Sequence, residues 1–300
     1  MKFLDLFAGI GGFHLGMEQA GHQCVGWVEW DKFARQSYQA IHNVKGVWNA
    51  SDIRTVRASE LLRADCWCFG FPCQDISVAG KQKGFTAGKR SSLFFTVTGL
   101  IRDLEEEDRP GYLFIENVKN LLSINRGLDF LKLQIELDEI GYDVEWDVLD
   151  SAEVVPQHRQ RIFIVGHLRG RRTRKVFPII REDEKTNKTY KSVNQIGNII
   201  NSKSFGGNPQ VGRVYGIDGI APTLSTMQGG GQEPKILNDY RIRKLTPLET
   251  WRLQGFPDWA FNLARESGLS DSQLYKQAGN SVTVPVIKTI ADRMELEEDK

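Results

Sequence analysis

The sequence has no long apolar run and almost no net charge. No stretch approaches the ~20 apolar residues that a membrane-spanning helix needs. The acidic Asp5 stands where the apolar region of a signal peptide would continue. We therefore expect a cytoplasmic protein without membrane contact. Its 300 residues, 40% hydrophobic and 26% charged, are typical of a globular protein with one large and one smaller domain.

Cysteine is also scarce, with one residue at position 24 and three between positions 66 and 73. Cys66 and Cys68 lie in the apolar run 64–69, which is typical of a buried strand, so both side chains point to one face as core residues. Their spacing is not C-x-x-C, and no histidine cluster completes a zinc ligand set. We predict neither a disulfide framework nor a metal site.

Cys73 has a different setting, because it follows that strand in the turn Gly-Phe-Pro-Cys at residues 70–73. A cysteine at such a turn can be a small buried hydrophobe, which is the usual role of a free cysteine. It can also be a nucleophile presented at the end of a strand. The rest of the chain favours the nucleophile.

Charge is distributed unevenly along the chain. Between positions 168 and 244 there are 15 Lys and Arg against 6 Asp and Glu, although the whole sequence carries a net charge of only +1. A basic segment in an otherwise acidic chain is typical of a surface that binds a polyanion. A merely solvated charged surface is the alternative.

Apolar strand patterns alternate with helical patterns over the first 168 residues, which predicts an α/β domain with helices on both faces of a sheet. After residue 168 the alternation is weak, and glycine clusters occur at 206–207 and 229–231. An apolar helical pattern returns near the C-terminus. We predict a catalytic domain over 1–168, completed by a C-terminal helix at 277–300, and a small loop-rich domain over 169–276.

The first strand leads into a glycine-rich turn with Gly9 and Gly11, as in nucleotide-binding βα units. His14 breaks the pattern G-x-G-x-x-G, which disfavours a nicotinamide and leaves other nucleosides open. Glu29 ends the second strand, where a carboxylate accepts hydrogen bonds from ribose hydroxyls. A surface carboxylate is the alternative. Asp52 follows the third strand and can accept from an adenine amino group or cap a helix predicted at 58–63.

Cys73 and Glu116 follow strands that end at the same edge of the predicted sheet. A thiolate is favoured beside arginine, and Arg159 and Arg161 precede the last strand of this domain. Glu116 can act as an acid when burial keeps it protonated. Together, the thiol, the acid and the two arginines favour covalent activation of an electron-poor heterocycle that is part of a polyanion. The alternative is that the arginines only bind phosphate.

The chain resembles a DNA (cytosine-5)-methyltransferase of the bacterial or phage type, from a restriction-modification system or an orphan enzyme. The matching motifs follow the family's order and span nearly the whole chain: DLFAGIGG at 5–12, GFPCQ at 70–74, ENV at 116–118, Q-x-R-x-R at 157–161, RLQGFP at 252–257 and GNSV at 279–282. Ile76 stands where many members carry an aromatic residue, and Leu248 where arginine is frequent. Neither departure touches the catalytic set.

The resemblance implies S-adenosylmethionine as methyl donor and a class I methyltransferase fold, with a Rossmann-like mixed sheet and a target-recognition domain. It assigns Trp30 to the adenine, where an ordinary core role is the alternative. The implied cofactor site comprises Phe7, Gly9, Gly11, Glu29, Trp30, Asp52, Ile53, Asn280 and Ser281.

The resemblance also implies a mechanism on a cytosine flipped out of duplex DNA. Cys73 attacks carbon 6 of the ring, and Glu116 donates to ring nitrogen 3. Arg161, with Arg159 near it, holds the exocyclic oxygen and the adjacent phosphate or thiol. Carbon 5 then takes the methyl group, and loss of its proton expels Cys73.

Thr223 matches the Thr-Leu pair of the family's recognition domain, and Ser77 is expected to contact DNA. Gln210 is expected to fill the space of the flipped base, and Arg213 to pair with guanine or hold a phosphate. The expected partner is double-stranded DNA, bound by a monomer, with a cognate endonuclease as a genetic partner only. The alternatives are a tRNA cytosine methyltransferase and a non-catalytic DNA-binding regulator.

Overall fold

The computed structural model describes residues 1–71, 92–179, 192–200 and 209–296. Two predicted site residues, Cys73 and Ser77, lie outside these described residues, as do the basic loop at 80–90 and the glycine pair at 206–207. None of the described helices is both long and apolar enough to cross a membrane.

The larger sheet has seven strands: β1 (Lys2–Leu6), β2 (Gln23–Val28), β3 (Trp48–Ala50), β4 (Cys66–Phe69), β5 (Tyr112–Val118), β6 (Tyr142–Asp150) and β7 (Gln160–Leu168). Their order across the sheet is β3-β2-β1-β4-β5-β7-β6. Strands β1 to β5 pair in parallel, whereas β7 runs antiparallel to both β5 and β6. The central strands are nearly continuous apolar runs because both of their faces are covered.

The helices in the described part of the chain are α1 (Gly12–Gln19), α2 (Lys32–Ile41), α3 (Ser92–Arg102), α4 (Leu128–Glu139), α5 (Pro247–Leu253), α6 (Asp258–Glu266), α7 (Asp271–Asn280) and α8 (Val284–Ala291). Phe3 and Leu4 are neighbours on β1 but belong to different core clusters, because successive strand residues point to opposite faces. Leu4 packs with residues of α3 and α4, and Phe3 packs with residues of α1 and α8. The predicted α/β fold, a mixed sheet with helices on both faces, is confirmed.

The C-terminal segment differs from the single helix predicted from residue 277. Helix α7 ends at Asn280, and α8 begins at Val284 with Pro285 in its first turn. Proline fits a first turn because the N–H that it lacks has no partner there. Likewise, the helix predicted at 58–63 is only the 3-10 turn Ala58–Glu60.

The smaller sheet contains β8 (Gln195–Asn198), β9 (Arg213–Gly216), β10 (Lys235–Asn238) and β11 (Arg241–Lys244), in the order β11-β10-β9-β8. Helices α5 to α7 place their buried side chains against the larger domain. Trp251 and Leu274 share a buried cluster with Leu15 and Ile41 of α1 and α2. The predicted domain boundary at residue 276 stays a prediction, and this packing favours one nearer Leu245.

Candidate active site

The turn between β1 and α1, residues 7–11, which we call the cofactor turn, has one open and one closed side. Phe7, Gly9 and Gly11 all adopt positive φ, at 57°, 56° and 84°. A Cβ added at Gly9 would have no atom within 4 Å, whereas one at Gly11 would stand 1.9 Å from Nε2 of His42. A ligand can therefore approach the backbone at Gly9 while His42 closes the turn at Gly11.

Glu29 joins the end of β2 to the cofactor turn. Its Oε2 accepts a hydrogen bond from the N–H of Gly9 at 2.7 Å, and its Oε1 accepts from the N–H of Asp31 at 2.7 Å. Burial raises the pKa of Glu29, and these two bonds act in the opposite direction. Each oxygen keeps a second lone pair, so the carboxylate can also accept from a ribose hydroxyl.

Trp30 is 65% exposed, so it is not a core residue. The guanidinium of Arg54 lies 4.5 Å from its ring centroid, a cation–π contact. Arg54 also donates to both carboxylate oxygens of Asp52, at 2.7 to 3.2 Å. This ion pair lowers the pKa of Asp52. Arg54 thus connects the two residues predicted for the adenine.

Asp52 also caps the 3-10 turn Ile53–Thr55, since its side chain accepts from the N–H of Arg54 at 3.0 Å. The alternative role of Asp52, as the cap of a helix at 58–63, is therefore wrong, because the turn that Asp52 caps begins at the next residue. Ile53 itself is buried beside the sheet.

The loop after α7 reaches the start of α1. A Cβ at Gly12 would stand 2.8 Å from Oγ of Ser281 and 2.7 Å from the side chain of Val282. Ser281 is buried, whereas Asn280 is exposed. The structure thus brings Ser281 beside the cofactor turn from 269 residues further along the chain.

The second group of predicted residues lies where β5 and β7 run side by side. Glu116 is opposite Phe163, so Arg161, two residues earlier, is its diagonal neighbour on the same face. The Nε of Arg161 lies 3.0 Å from Oε1 of Glu116, and both side chains are less than a fifth exposed. The structure brings these two predicted site residues together in an ion pair that the sequence did not predict, and β5 continues past Glu116 to Val118.

The turn that leads to Cys73 begins beside this ion pair. A Cβ at Gly70 would stand 3.1 Å from Oε2 of Glu116. The side-chain amide of Asn117 donates to the carbonyl of Phe71 at 3.4 Å. Gly70 therefore leaves room for the second oxygen of Glu116, and Asn117 holds the carbonyl of Phe71. Asn117 belongs to the motif at 116–118, but the sequence alone predicted no role for it.

Arg159 is fully buried and contacts main-chain carbonyls. Its guanidinium donates to the carbonyls of Leu224 (3.3 Å), Gly279 (3.1 Å) and Ser281 (2.8 Å). Burial, with a smaller contribution from Arg161, lowers the pKa of Arg159 to about 9, so the side chain stays charged at neutral pH. These contacts favour a positioning role for Arg159 over the predicted contact with the base.

The Thr223–Leu224 pair rests on the segment before β7. The hydroxyl of Thr223 donates to the carbonyl of His158 at 2.6 Å, and the side chain of Gln157 accepts from the N–H of Leu224 at 3.1 Å. Gln157 also donates to the carbonyl of Leu253 at 2.9 Å. The predicted recognition pair is therefore tied to the segment that carries the two arginines. Gln157 is the first residue of the motif Q-x-R-x-R, but its role was not predicted.

Gln210 is exposed at the start of a 3-10 turn, and Arg213 begins β9. Both therefore belong to the smaller sheet and the turn that enters it, whereas Glu116 and Arg161 lie on β5 and β7 of the larger sheet. Lys235 holds this segment, because its buried ammonium donates to the carbonyls of Val211 (2.6 Å) and Gly231 (2.7 Å).

Comparison with known protein families gives one clear match. The family model described as C-5 cytosine-specific DNA methylase matches residues 1–215 and 182–296. The chain is 34% identical to the type II methyltransferase M.HaeII of Haemophilus aegyptius, over 98% of this chain and 92% of that protein. It is 31% identical to the type II methyltransferase M.HhaI of Haemophilus parahaemolyticus, over 97% and 93%.

The chain is also 28% identical to the orphan methyltransferase M.SPBetaI of Bacillus phage SPbeta, over 97% of this chain and 96% of the relative. Solved structures share the fold. The S. pombe Dnmt2 methyltransferase superposes with a TM-score of 0.72 at 19% identity, with 96% of each chain covered. A putative DNA modification methyltransferase encoded within an E. coli prophage gives a TM-score of 0.66 at 20% identity, with 97% of each chain covered.

Proposed function

The chain belongs to the C-5 cytosine-specific DNA methylase family and is a DNA (cytosine-5)-methyltransferase, and we propose that it methylates carbon 5 of a flipped cytosine through a covalent bond to Cys73. The methyl donor in this proposal is S-adenosylmethionine, and the substrate is a short specific sequence in double-stranded DNA. The relatedness to both type II and orphan enzymes fits a bacterial or phage modification enzyme.

The observation that carries the proposal is the ion pair of Glu116 and Arg161 beside Gly70. Arg161 contacts one oxygen of Glu116, and the other oxygen lies beside the turn that leads to Cys73. An acid, a fixed positive charge and a thiol are the groups that nucleophilic addition to a pyrimidine requires, and Cys73 follows Gly70 by three residues in the sequence.

The residues present fit the cofactor. Gly9 leaves the backbone open, and Glu29 can accept from the ribose. Bound S-adenosylmethionine supplies an electrophilic methyl group. Ser281, beside Gly12, would close this pocket from the other side.

In the proposed reaction, the Cys73 thiolate forms a bond to carbon 6 of the cytosine. Glu116, in its protonated form, donates a hydrogen bond to ring nitrogen 3 and offsets the negative charge that develops on the ring, while Arg161 holds Glu116 and the exocyclic oxygen. Carbon 5 becomes nucleophilic and accepts the methyl group. Loss of the proton on carbon 5 to a base in solution then breaks the bond to Cys73.

The basic second domain supports a polyanionic substrate. Thr223 is tied to the segment that carries Arg159 and Arg161, and Lys235 holds the segment that begins with Gln210. We propose that Gln210 and Arg213 meet the DNA, that the enzyme acts as a monomer, and that any cognate endonuclease is a genetic partner only.

A DNA duplex that contains 5-fluorocytosine tests the covalent step, because fluorine on carbon 5 prevents release of the enzyme. The wild-type protein with S-adenosylmethionine should form a stable protein–DNA adduct that maps to Cys73 by mass spectrometry. Cys73→Ser should form none. Cys24→Ser is the matched control, since Cys24 is a buried thiol whose pKa burial raises to about 12, and it should keep the adduct.

An adduct at another residue, or methyl transfer by Cys73→Ser at the wild-type rate, would contradict the proposal. Labelled methyl transfer to tRNA but not to duplex DNA would show that the substrate is tRNA instead of DNA. A protein that binds DNA without transferring a methyl group would support the alternative of a non-catalytic DNA-binding regulator.

A further inference from the structure

Two buried histidines lie beneath the cofactor turn without a role in the proposed reaction. The rings of His14, in α1, and His42, directly after α2, stack with centroids 3.9 Å apart and planes at 16°. Both side chains are at most 5% exposed. Histidine is seldom placed in a core without a partner, so the pair calls for a physical explanation.

A metal ion does not explain the pair. Together with Glu18, the two histidines offer three ligand atoms within 4.8 Å of one another. However, the lone pairs of an imidazole lie in its ring plane, and two nearly parallel rings aim them side by side instead of toward one point. The arrangement therefore fits stacking and hydrogen bonding better than metal coordination.

The contacts of His42 lead to the cofactor turn. Its Nε2 lies 3.1 Å from the carbonyl of Ile10 and donates to it. The same atom occupies the space that a side chain at Gly11 would take, at 1.9 Å. His42 thus supports the turn at two consecutive residues, and Gly11 is compatible with it because glycine lacks a Cβ and tolerates a φ of 84°.

His14 and Tyr38 hold His42 in place. The Tyr38 hydroxyl lies 2.6 Å from Nδ1 of His14, and the Tyr38 ring centroid lies 4.6 Å from that of His42. The same hydroxyl lies 3.3 Å from Oδ2 of Asp5, on β1. Nε2 of His14 lies 3.0 Å from Oε1 of Glu18. The contacts that hold His42 therefore extend from Asp5 on β1, through Tyr38 on α2, to Glu18 at the surface of α1.

We propose that His42, backed by His14, is a positioning residue that holds the cofactor turn in its binding shape. The proposal rests on the proposed function, since it assigns that turn to S-adenosylmethionine. His42 does not touch the reacting atoms. Its loss should therefore weaken cofactor binding and leave the chemical step nearly unchanged.

The first experiment measures S-adenosylmethionine binding by calorimetry, together with kcat and the cofactor KM on duplex DNA. His42→Ala leaves the buried carbonyl of Ile10 without its donor, which should raise the cofactor Kd and KM about tenfold. We expect kcat and DNA affinity to stay within about twofold. His42→Gln keeps an N–H donor at a similar reach, and should restore Kd to within about threefold of the wild type.

His22→Gln is the matched control. His22 lies beyond the other end of α1, and its Nε2 lies 3.1 Å from the carbonyl of Ala291, away from the cofactor turn. This variant should bind the cofactor as the wild type does. The same kinetic constants for His42→Ala as for the wild type, or a loss confined to kcat, would overturn the proposal.

A double-mutant cycle tests the contact itself. Gly11→Ala strains the backbone in any context, but it collides with His42 only when that ring is present. We expect Gly11→Ala to raise the cofactor Kd by a several-fold larger factor in the wild type than in the His42→Ala background. Equal factors would show that the two residues act independently and would overturn the proposal.

The outcomes separate this inference from the function on which it rests. A wild-type protein that neither binds nor uses S-adenosylmethionine would contradict the proposed function. A wild-type protein that binds and uses it, with the same cofactor affinity in His42→Ala, would contradict only the proposed role of His42. Thermal melting of each variant confirms that binding is measured on folded protein.

Discussion

The cofactor side and the target side of the active site differ in charge and in the way the chain assembles them. Glu29 and Asp52 give the cofactor side acidic groups, both from the first three βα units. The target side carries Arg159 and Arg161, and Arg159 contacts carbonyls up to 122 residues away. Local motifs build most of the side that we propose binds a cationic methyl donor, and Ser281 joins it from 269 residues further along the chain. Long-range contacts build the side that we propose binds a polyanion.

The largest effect should come from Glu116→Gln, which acts on the target side alone. The amide cannot supply an acidic proton to ring nitrogen 3, so kcat should fall by about 10²- to 10⁴-fold. Cofactor affinity should not change, because Glu116 has no contact with the cofactor turn among the described residues. Single-turnover methyl transfer and calorimetry measure the two quantities.

Glu139→Gln is the control for this change, since Glu139 is a carboxylate of α4 that is 60% exposed. A Glu116→Gln enzyme with wild-type kcat would remove the acid from the mechanism. A Glu116→Gln enzyme with a raised cofactor KM would show that the target side and the cofactor side are not independent.

A second large effect is expected for Arg159→Met, which tests whether this residue positions other segments. The change leaves three buried carbonyls without their donor, so the free energy of unfolding should fall by about 3 kcal/mol. Urea titration measures it. Arg265→Met is the matched control, because its ion pair with Asp271 is about half exposed on both sides and should contribute under ~1 kcal/mol. Equal stability of the two variants would refute the positioning role.

Glu29→Gln makes the complementary change on the cofactor side. An amide accepts at only one end, so the N–H of Gly9 or of Asp31 loses its partner. We expect the cofactor KM to rise about tenfold, with kcat and DNA affinity little changed. Filter binding of duplex DNA provides the second readout. Weakened DNA binding with a normal cofactor KM would show that Glu29 acts on the target side instead of the cofactor side.

The smallest effect concerns acid stability. Burial lowers the pKa of His42 and of His22, whereas an unfolded histidine binds a proton near pH ~6.5. Below that pH the unfolded chain binds more protons than the folded one. The free energy of unfolding should therefore decrease as the pH is lowered. Each group contributes at most ~1.4 kcal/mol per pH unit.

His42→Gln should make this pH dependence shallower, because it removes one of the titrating groups. Urea titrations at pH 7.5, 6.5 and 5.5 compare the two proteins. Identical slopes would show that the acid sensitivity does not reside beneath the cofactor turn.

The same division explains what could be predicted from the sequence. Gly9, Glu29 and Asp52 each follow a strand, so the rule that sites lie at the carboxyl ends of parallel strands brought them together. Glu116 and Arg161 could be grouped from their motifs, but their diagonal contact depends on β7 being antiparallel to β5, which apolar patterns do not encode.

Other contacts had no usable local signal. Arg159 stands in a motif, yet its partners come from the segments around Leu224 and residues 279–281. Arg54 stands two residues after Asp52, and an exposed arginine at that distance is too common to identify a contact with Trp30. Pro285, by contrast, does carry a local signal for the break between α7 and α8, since proline in a first turn marks the start of a helix.

The most direct test of the account identifies the product on DNA. Purified protein is incubated with duplex DNA and S-adenosylmethionine that carries a deuterated methyl group, and the DNA is digested to nucleosides for mass spectrometry. The account predicts labelled 5-methyldeoxycytidine, which is absent with Cys73→Ser and forms about 10²- to 10⁴-fold more slowly with Glu116→Gln. Label on the exocyclic nitrogen of cytosine or adenine, or no label in DNA, would contradict it.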